Sequence, residues 1–302
     1  MEKKRFSLHF PLYKILLAIT LLYFIIFGFF MAYTSGQPDQ NVHNHYSLHF
    51  SKTWGIPEEV DDYSAYIFTG QPYLYYWING FVIKIFQFLF LNNPPVRPVI
   101  LLRLFSVFLS TFTVFFAYKL ASKVTNNPYF GVLCAFFLSN TLMFVYVSGG
   151  INYDNLMNLA AMASLFHLVS LFKNEDFVKN TALIGTWVVI GSLSKEQFLL
   201  LALIIFLTWV YYVIKENKRI KLNFTKKNLV FVLLLFVFLI LFFNLYGTNI
   251  ILYSRITPMC TNIKPKEKCI GYESRWEHYE PYNWHAIWFF RDNLPNFIEY
   301  AF

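Results

Sequence analysis

Apolar and polar positions alternate along the chain in long blocks, with uncharged runs separated by short polar segments. The first run, Ile15 to Tyr33, carries no charge and matches one membrane crossing, for which about 20 residues suffice. Glu2, Lys3, Lys4, Arg5 and Lys14 precede it. The run is long for a cleaved leader and no small-x-small site follows it. The pattern therefore predicts an anchor with a cytoplasmic N-terminus. Further crossings are predicted at about 98–119, 129–148, 155–172 and 229–246. Residues 34–71 are polar and hold Asp39, His43, His45, His49, Glu58, Glu59, Asp61 and Asp62.

Two stretches are ambiguous by pattern, and charge decides between their readings. Residues 72–91 are rich in Tyr and Trp but are broken by Gly80 and Lys84. Residues 181–214 are too long for one span and are interrupted between Gly191 and Glu196. Basic residues gather at Lys119 and Lys123, at Lys173 and Lys179, and from Lys215 to Lys227. If 72–91 lies flat at the interface and 181–214 makes two short half-broken spans, every basic linker falls on the cytoplasmic side. Asp39, Asp154, Lys195 and residues 247–302 then share the outer side. If 72–91 crossed, Asp39 and Asp154 would be separated, and the 215–227 cluster would be translocated against the positive-inside rule. The reading is an all-α integral membrane protein of about seven spans with interfacial helices in the first outer loop. It comprises a transmembrane domain, 1–246, with its outer loop at 34–97, and an outer tail, 247–302. That tail holds Trp276, Trp284 and Trp288 and reads as a half-buried cap. No internal repeat is apparent.

Composition agrees with a lipid solvent. Hydrophobic residues are 57% and charged residues 14% of 302, against about 25% charged in soluble domains. The net charge of +8 does not indicate nucleic acid, because the basic residues sit in clusters between apolar runs and no nucleic-acid module is present. Cys134 lies in an apolar run. Cys260 and Cys269 lie in the polar tail and are disulfide candidates if that tail is in an oxidising compartment.

Three segments hold candidate chemistry. In Pro38-Asp39-Gln40-Asn41-Val42-His43, a helix would put Asp39 and His43 on one face. An interfacial carboxylate is partly desolvated and becomes a better base, although a loop Asp also serves as a plain helix cap. In Ser148-Gly149-Gly150-Ile151-Asn152-Tyr153-Asp154, the glycines permit close backbone approach, and Asp154 is either functional or an N-cap. Ser194-Lys195-Glu196 puts ionisable groups within an apolar stretch, which is costly and marks function more often than not. A broken helix exposing Lys195 would suit a phosphate, while local neutralisation of Lys195 by Glu196 is the plain alternative. Arg103 is a similar cation near the outer face, with snorkelling as its simpler explanation. No zinc spacing, nucleophile elbow or dinucleotide fingerprint occurs.

Pro38-Asp39-x-x-x-His43, followed by Gln71-Pro72-Tyr73-Leu74-Tyr75-Tyr76, resembles the first outer loop of GT-C membrane glycosyltransferases. The similarity is to the family-39 branch, which includes protein O-mannosyltransferases and the aminoarabinose transferase of lipid A, or to a related bacterial membrane family. Asn152-Tyr153-Asp154 resembles the second acidic motif of that branch, and Ser194-Lys195 its Gly-x-Ser-Lys element. The resemblance covers roughly residues 10–246. It implies a GT-C-like bundle and a polyprenyl-phosphate sugar donor reaching the outer face of the membrane. Asp39 would be the general base of an inverting transfer to an acceptor hydroxyl. Asp154 would position a sugar, or help hold a divalent metal with Asp39 and His43. Lys195, with Arg103, would stabilise the phosphate leaving group, and His43 and Gln71 would line the substrate site. Gln40 replaces the usual Glu, and Gln71 stands where a cation is common. The chain also ends at Phe302, where many relatives continue.

The expected function is thus a sugar transferase of a bacterial inner membrane with its C-terminus in the periplasm. Its partners would be the lipid-linked donor, membrane lipids and an unidentified acceptor glycan, lipid or protein, without nucleic acid. Two alternatives stand beside it. One is a non-catalytic subunit of an envelope glycan assembly system, and the other is a truncated, inactive homologue. A transporter with a broken-helix site is disfavoured by the missing repeat and by ionisable residues gathered away from the midplane.

Overall fold

The computed structural model describes residues 12–34, 40–55, 70–90, 97–216 and 225–258, together with Asn262. The elements found there are helical, and no strand occurs among the described residues. The long apolar runs form α1 (Leu12–Thr34), α4 (Pro98–Thr125), α7 (Asp154–Phe172), α8 (Phe177–Ser194) and α9 (Phe198–Glu216). The last run forms α10 (Lys226–Phe242), which passes through a π-helical turn at Phe243–Gly247 into α11 (Thr248–Tyr253). Six helices are long and apolar enough to cross a membrane, or seven if the bent pair α5 (Pro128–Ser139) and α6 (Leu142–Ser148) makes one crossing. The chain is a multi-pass integral membrane protein, and its described residues are all helix and connecting turns.

Local chemistry sets the helix ends. Pro98 opens α4 at a position where a missing N–H costs nothing, and Asn126 closes it in the left-handed conformation at φ 54°. The Asp176 carboxylate caps α8 by accepting the Lys179 N–H at 3.0 Å, and Thr225 caps α10 by accepting the Asn228 N–H at 3.2 Å.

Three sequence expectations need adjusting. Helix α4 runs on past Lys119 and Lys123, because lysines are good helix formers and their charged heads reach water from the helix end. The run expected as one span at 129–148 is instead two helices bent by 71°. Its cause is a polar triplet: Ser139 and Asn140 donate back to the Phe136 carbonyl at 2.8 and 2.7 Å, and Thr141 donates to that of Phe137 at 3.0 Å. The expected half-broken spans in 181–214 are two full helices, α8 and α9, of 18 and 19 residues, since α8 starts earlier at its Asp176 cap and the break is confined to 195–197.

Helix α7 lies between α4 and α8, and α8 also carries α9 and α10, while α1 packs on α4 and α5. Polar side chains inside this bundle are satisfied locally. Thr113, Thr186 and Ser192 donate to carbonyls four residues earlier, and Ser110 donates across to Asn155 at 3.0 Å. Outward positions such as Ile204, Leu207, Phe236 and Val237 are exposed and apolar, as lipid-facing surfaces must be.

The bundle has two chemically distinct ends. At one, Lys123 pairs with Glu175 at 2.7 Å, Lys173 donates to Asn126, and Asn228 donates to both carboxylate oxygens of Asp176. At the other lie α2 (Gln40–Phe50), α3 (Leu74–Leu89), the 149–153 turn and the 195–197 break. Helix α3 has 16 residues, short of a crossing, and is two-faced. Leu74, Tyr75, Tyr76, Asn79, Gly80 and Ile83 are buried, whereas Trp77, Phe81, Ile85 and Phe88 are exposed. Gly80 lets α3 lie against the end of α2, because a Cβ there would come within 2.7 Å of the Phe50 carbonyl carbon.

Candidate active site

Of the polar residues singled out from the sequence, His43, Gln71, Arg103, Asp154 and Lys195 lie at the α2–α3 end. Asp154 occupies the first turn of α7, where the helix dipole favours a negative charge. It is not the cap of that helix, because the Asn152 side chain accepts the Asp154 N–H at 2.8 Å. The Asp154 carboxylate instead reaches Lys195, Nζ to Oδ1 at 2.7 Å. Lys195 is the residue at which α8 ends in extended backbone, so a short break delivers its ammonium to the neighbouring helix. Both side chains are about a quarter exposed, at 26% and 21%. The pair is open to a ligand without being fully solvated.

Aromatic rings surround this pair. The Lys195 ammonium lies 4.6 Å from the Tyr153 ring centre. Tyr153 meets the His43 imidazole edge-on at 4.8 Å, and His43 Nδ1 is hydrogen-bonded to the Tyr76 hydroxyl at 2.8 Å. The same helix turn is fixed from below, where Ser47 donates to the His43 carbonyl at 2.8 Å and Asn79 donates to Ser47 at 3.0 Å. Burial pushes the Tyr76 phenol well above its ordinary range, reinforced by Tyr153, Tyr75, Tyr46 and Asp154. Tyr76 is therefore a neutral hydroxyl at any working pH. Tyr75, also held high chiefly by burial, meets Ser106 of α4 at 3.3 Å.

Arg103 clamps two elements. Its Nε donates to Gln40 Oε1 at 2.9 Å and its Nη1 to the Ala32 carbonyl near the end of α1 at 2.6 Å. Those bonds place it in the protein rather than snorkelling to the surface. Gln71 donates to the Pro258 carbonyl at 3.0 Å, and Asn249 donates to the carbonyls of Gly70 and Ile256, each at 2.8 Å. The approach to α3 is thereby tied to the chain that follows the last span. Gly149 serves packing, since a Cβ there would come 2.8 Å from the Met31 Cβ. Tyr76, Tyr153, Asn152 and Asn249 were not singled out from the sequence. The first three lie inside quoted motifs, and Asn249 is a lone amide beyond an apolar run.

Asp39, Cys260 and Cys269 lie outside the described residues; Cys134 is a free thiol in α5. Gln40, the next residue after Asp39, begins the helix that carries His43 to Tyr153. The metal set expected at Asp39, His43 and Asp154 includes Asp39, which lies outside the described residues. Asp154 is neutralised by an ammonium, His43 Nδ1 is bonded to a phenol, and no three metal-ligating side chains gather among the described residues.

Matching against protein-family models pairs residues 70–245 with the family described as dolichyl-phosphate-mannose-protein mannosyltransferase. That stretch is more than half of the chain and contains Gln71, Arg103, Asp154 and Lys195; Asp39 and His43 precede it. No curated protein and no solved structure matches the chain.

Proposed function

Because the chain belongs to the dolichyl-phosphate-mannose-protein mannosyltransferase family, of membrane glycosyltransferases of the GT-C type, we propose that it transfers a sugar from a polyprenyl-phosphate donor to an acceptor hydroxyl at the outer membrane face. The observation that carries this reading is the Asp154–Lys195 ion pair, held among Tyr153, His43 and Tyr76 at the end of the bundle. A lipid-linked donor presents a phosphodiester at that depth, and Lys195 is a partly desolvated cation fitted to receive it.

In the proposed reaction the Asp39 carboxylate takes the proton of the acceptor hydroxyl. The freed oxygen attacks the anomeric carbon from the face opposite the phosphate, so the configuration inverts. The bond between that carbon and the phosphate oxygen breaks, and its electron pair leaves with the polyprenyl phosphate. Lys195 stabilises the charge that develops there, and preorganisation by Asp154 spares the ammonium any reorganisation during the step. Arg103 acts one layer back by holding the ends of α1 and α2 together through Ala32 and Gln40. Neutral Tyr76 fixes His43 and with it the first turn of α2.

The test is transfer from labelled polyprenyl-phosphate sugars in membranes carrying the wild type, Asp39→Asn or Lys195→Gln. Transfer lost in Asp39→Asn and strongly slowed in Lys195→Gln is the expected result. Undiminished transfer in both variants overturns the assignment of roles. No transfer by a correctly inserted wild type from any donor favours the assembly-subunit reading.

A further inference from the structure

A separate feature lies on the exposed flank of α3. The turn after α2 folds back so that Trp54 meets Phe81 edge-on, with ring centroids 6.1 Å apart. Trp77 Nε1 donates to the Trp54 carbonyl at 3.2 Å, and its ring stacks against Phe81 at 6.5 Å. The Lys84 ammonium sits 4.1 Å from the centre of the Trp54 ring and donates to the Thr53 carbonyl. Together with Phe50, these residues line a shallow cleft. From it an apolar stripe continues along α3 through Ile85 to Phe88, and its ends are the most open, Trp54 being 72% and Phe88 81% exposed.

A contiguous apolar stripe of this kind is unfavourable in water and marks a contact surface. Helix α3 is too short to cross a bilayer, so lipid can meet it only along its side. Tryptophans favour the headgroup level, where one edge of the ring is wet and the rest apolar. Lys84 adds a cation, and an ammonium has three donors of which the Thr53 carbonyl takes one. Lys52 brings a second positive charge to the same turn. Carbohydrate is a poorer match, because Lys84 already occupies a face of Trp54 and the stripe beyond is apolar. The stripe is the same kind of exposed apolar surface that the spans turn to lipid, as at Phe108 and Phe112 of α4.

We propose that Trp54, Trp77 and Lys84 form a binding site for the phosphate headgroup of an anionic phospholipid, with the Phe81–Ile85–Phe88 stripe lying on its acyl chains. The bound lipid fixes the outward face of the helix whose inward face carries Tyr76. The site is independent of the sugar chemistry and is read without it.

The experiment reconstitutes the full chain into bilayers containing phosphatidylglycerol or phosphatidylcholine brominated near the headgroup, and follows quenching of tryptophan fluorescence. The signal of Trp54 and Trp77 is isolated by difference with Trp54→Phe and Trp77→Phe. Brominated phosphatidylglycerol should quench it in preference to brominated phosphatidylcholine at equal fraction. Lys84→Gln should reduce that preference about fivefold, the worth of one lysine at an anionic surface, and Lys84→Arg should retain it. Equal quenching of that difference signal by the two lipids overturns the proposal. So does a preference that survives Lys84→Gln, or quenching relieved by a soluble oligosaccharide, which would assign the cleft to a glycan.

Discussion

Lys195 and Asp154 illustrate how a pair can be worth more than its two charges. Each is an expensive group at the edge of an apolar bundle, and each makes the other tolerable. Replacing either alone strands its partner. A double-mutant cycle of Asp154→Asn and Lys195→Gln, read by thermal unfolding in detergent, should therefore show a coupling of about 1–2 kcal/mol. For catalysis, Lys195→Gln should slow transfer by roughly a hundredfold with a smaller change in KM, as expected of charge stabilisation realised in the transition state. Tyr76→Phe should cost about 1–3 kcal/mol of stability, because the buried His43 nitrogen loses its hydroxyl. His49 gives a pH signature. Burial foremost, with Lys52 and His45, lowers its pKa below the ordinary 6.5. Its share of stability is thus present above pH 6.5 and is lost as the pH falls through the lowered folded value, and His49→Gln should flatten that acid limb. The sequence announced Lys195 by the cost of placing charge in apolar surroundings, and left Asp154 open between a functional group and a helix cap. It did not announce Tyr76 or Tyr153, because a tyrosine that bonds a histidine and one that lines an interface look alike until the helices are placed.

Elements were legible wherever hydrophobicity alone decides, and less so where polar side chains compete with the backbone. The long runs became helices, with α4 and the last run extending beyond their expected limits. The bend between α5 and α6 was missed because Ser139, Asn140 and Thr141 are individually acceptable in a helix and break it only by bonding to its carbonyls together. Residues 72–91 show the opposite case. Their mixed pattern is the mark of a helix with two different neighbours, and α3 has both. Its contact with α2 depends on one missing methyl group. Gly80→Ala should push α3 away from Phe50 and destabilise the fold by about 1–3 kcal/mol. Transfer should fall with it, since Tyr76 rides on the same helix, and thermal unfolding and transfer assays on the same preparation would show the two losses together.

At the scale of the molecule, the polar ends of the bundle carry the prediction of orientation. Gln197 is exposed at the end that holds Lys195, and Lys227 is exposed at the opposite end. Gln197→Cys should react with a membrane-impermeant thiol reagent from the outer side of intact cells, and Lys227→Cys only after the membrane is opened. The Asp154–Lys195 pair also bears on how this protein is made. In the proposed orientation, the turn holding Asp154 and the break holding Lys195 must both be carried through the bilayer during synthesis. The two residues flank a single helical hairpin, α7 and α8, so opposite charges approach the insertion machinery within one nascent unit. Joined, they enter as a neutral pair; apart, each is a separate obstacle. A charge-neutral substitution at Asp154 would then leave a lone ammonium to be translocated, and the chain would lose yield at the ribosome before any donor lipid was ever met.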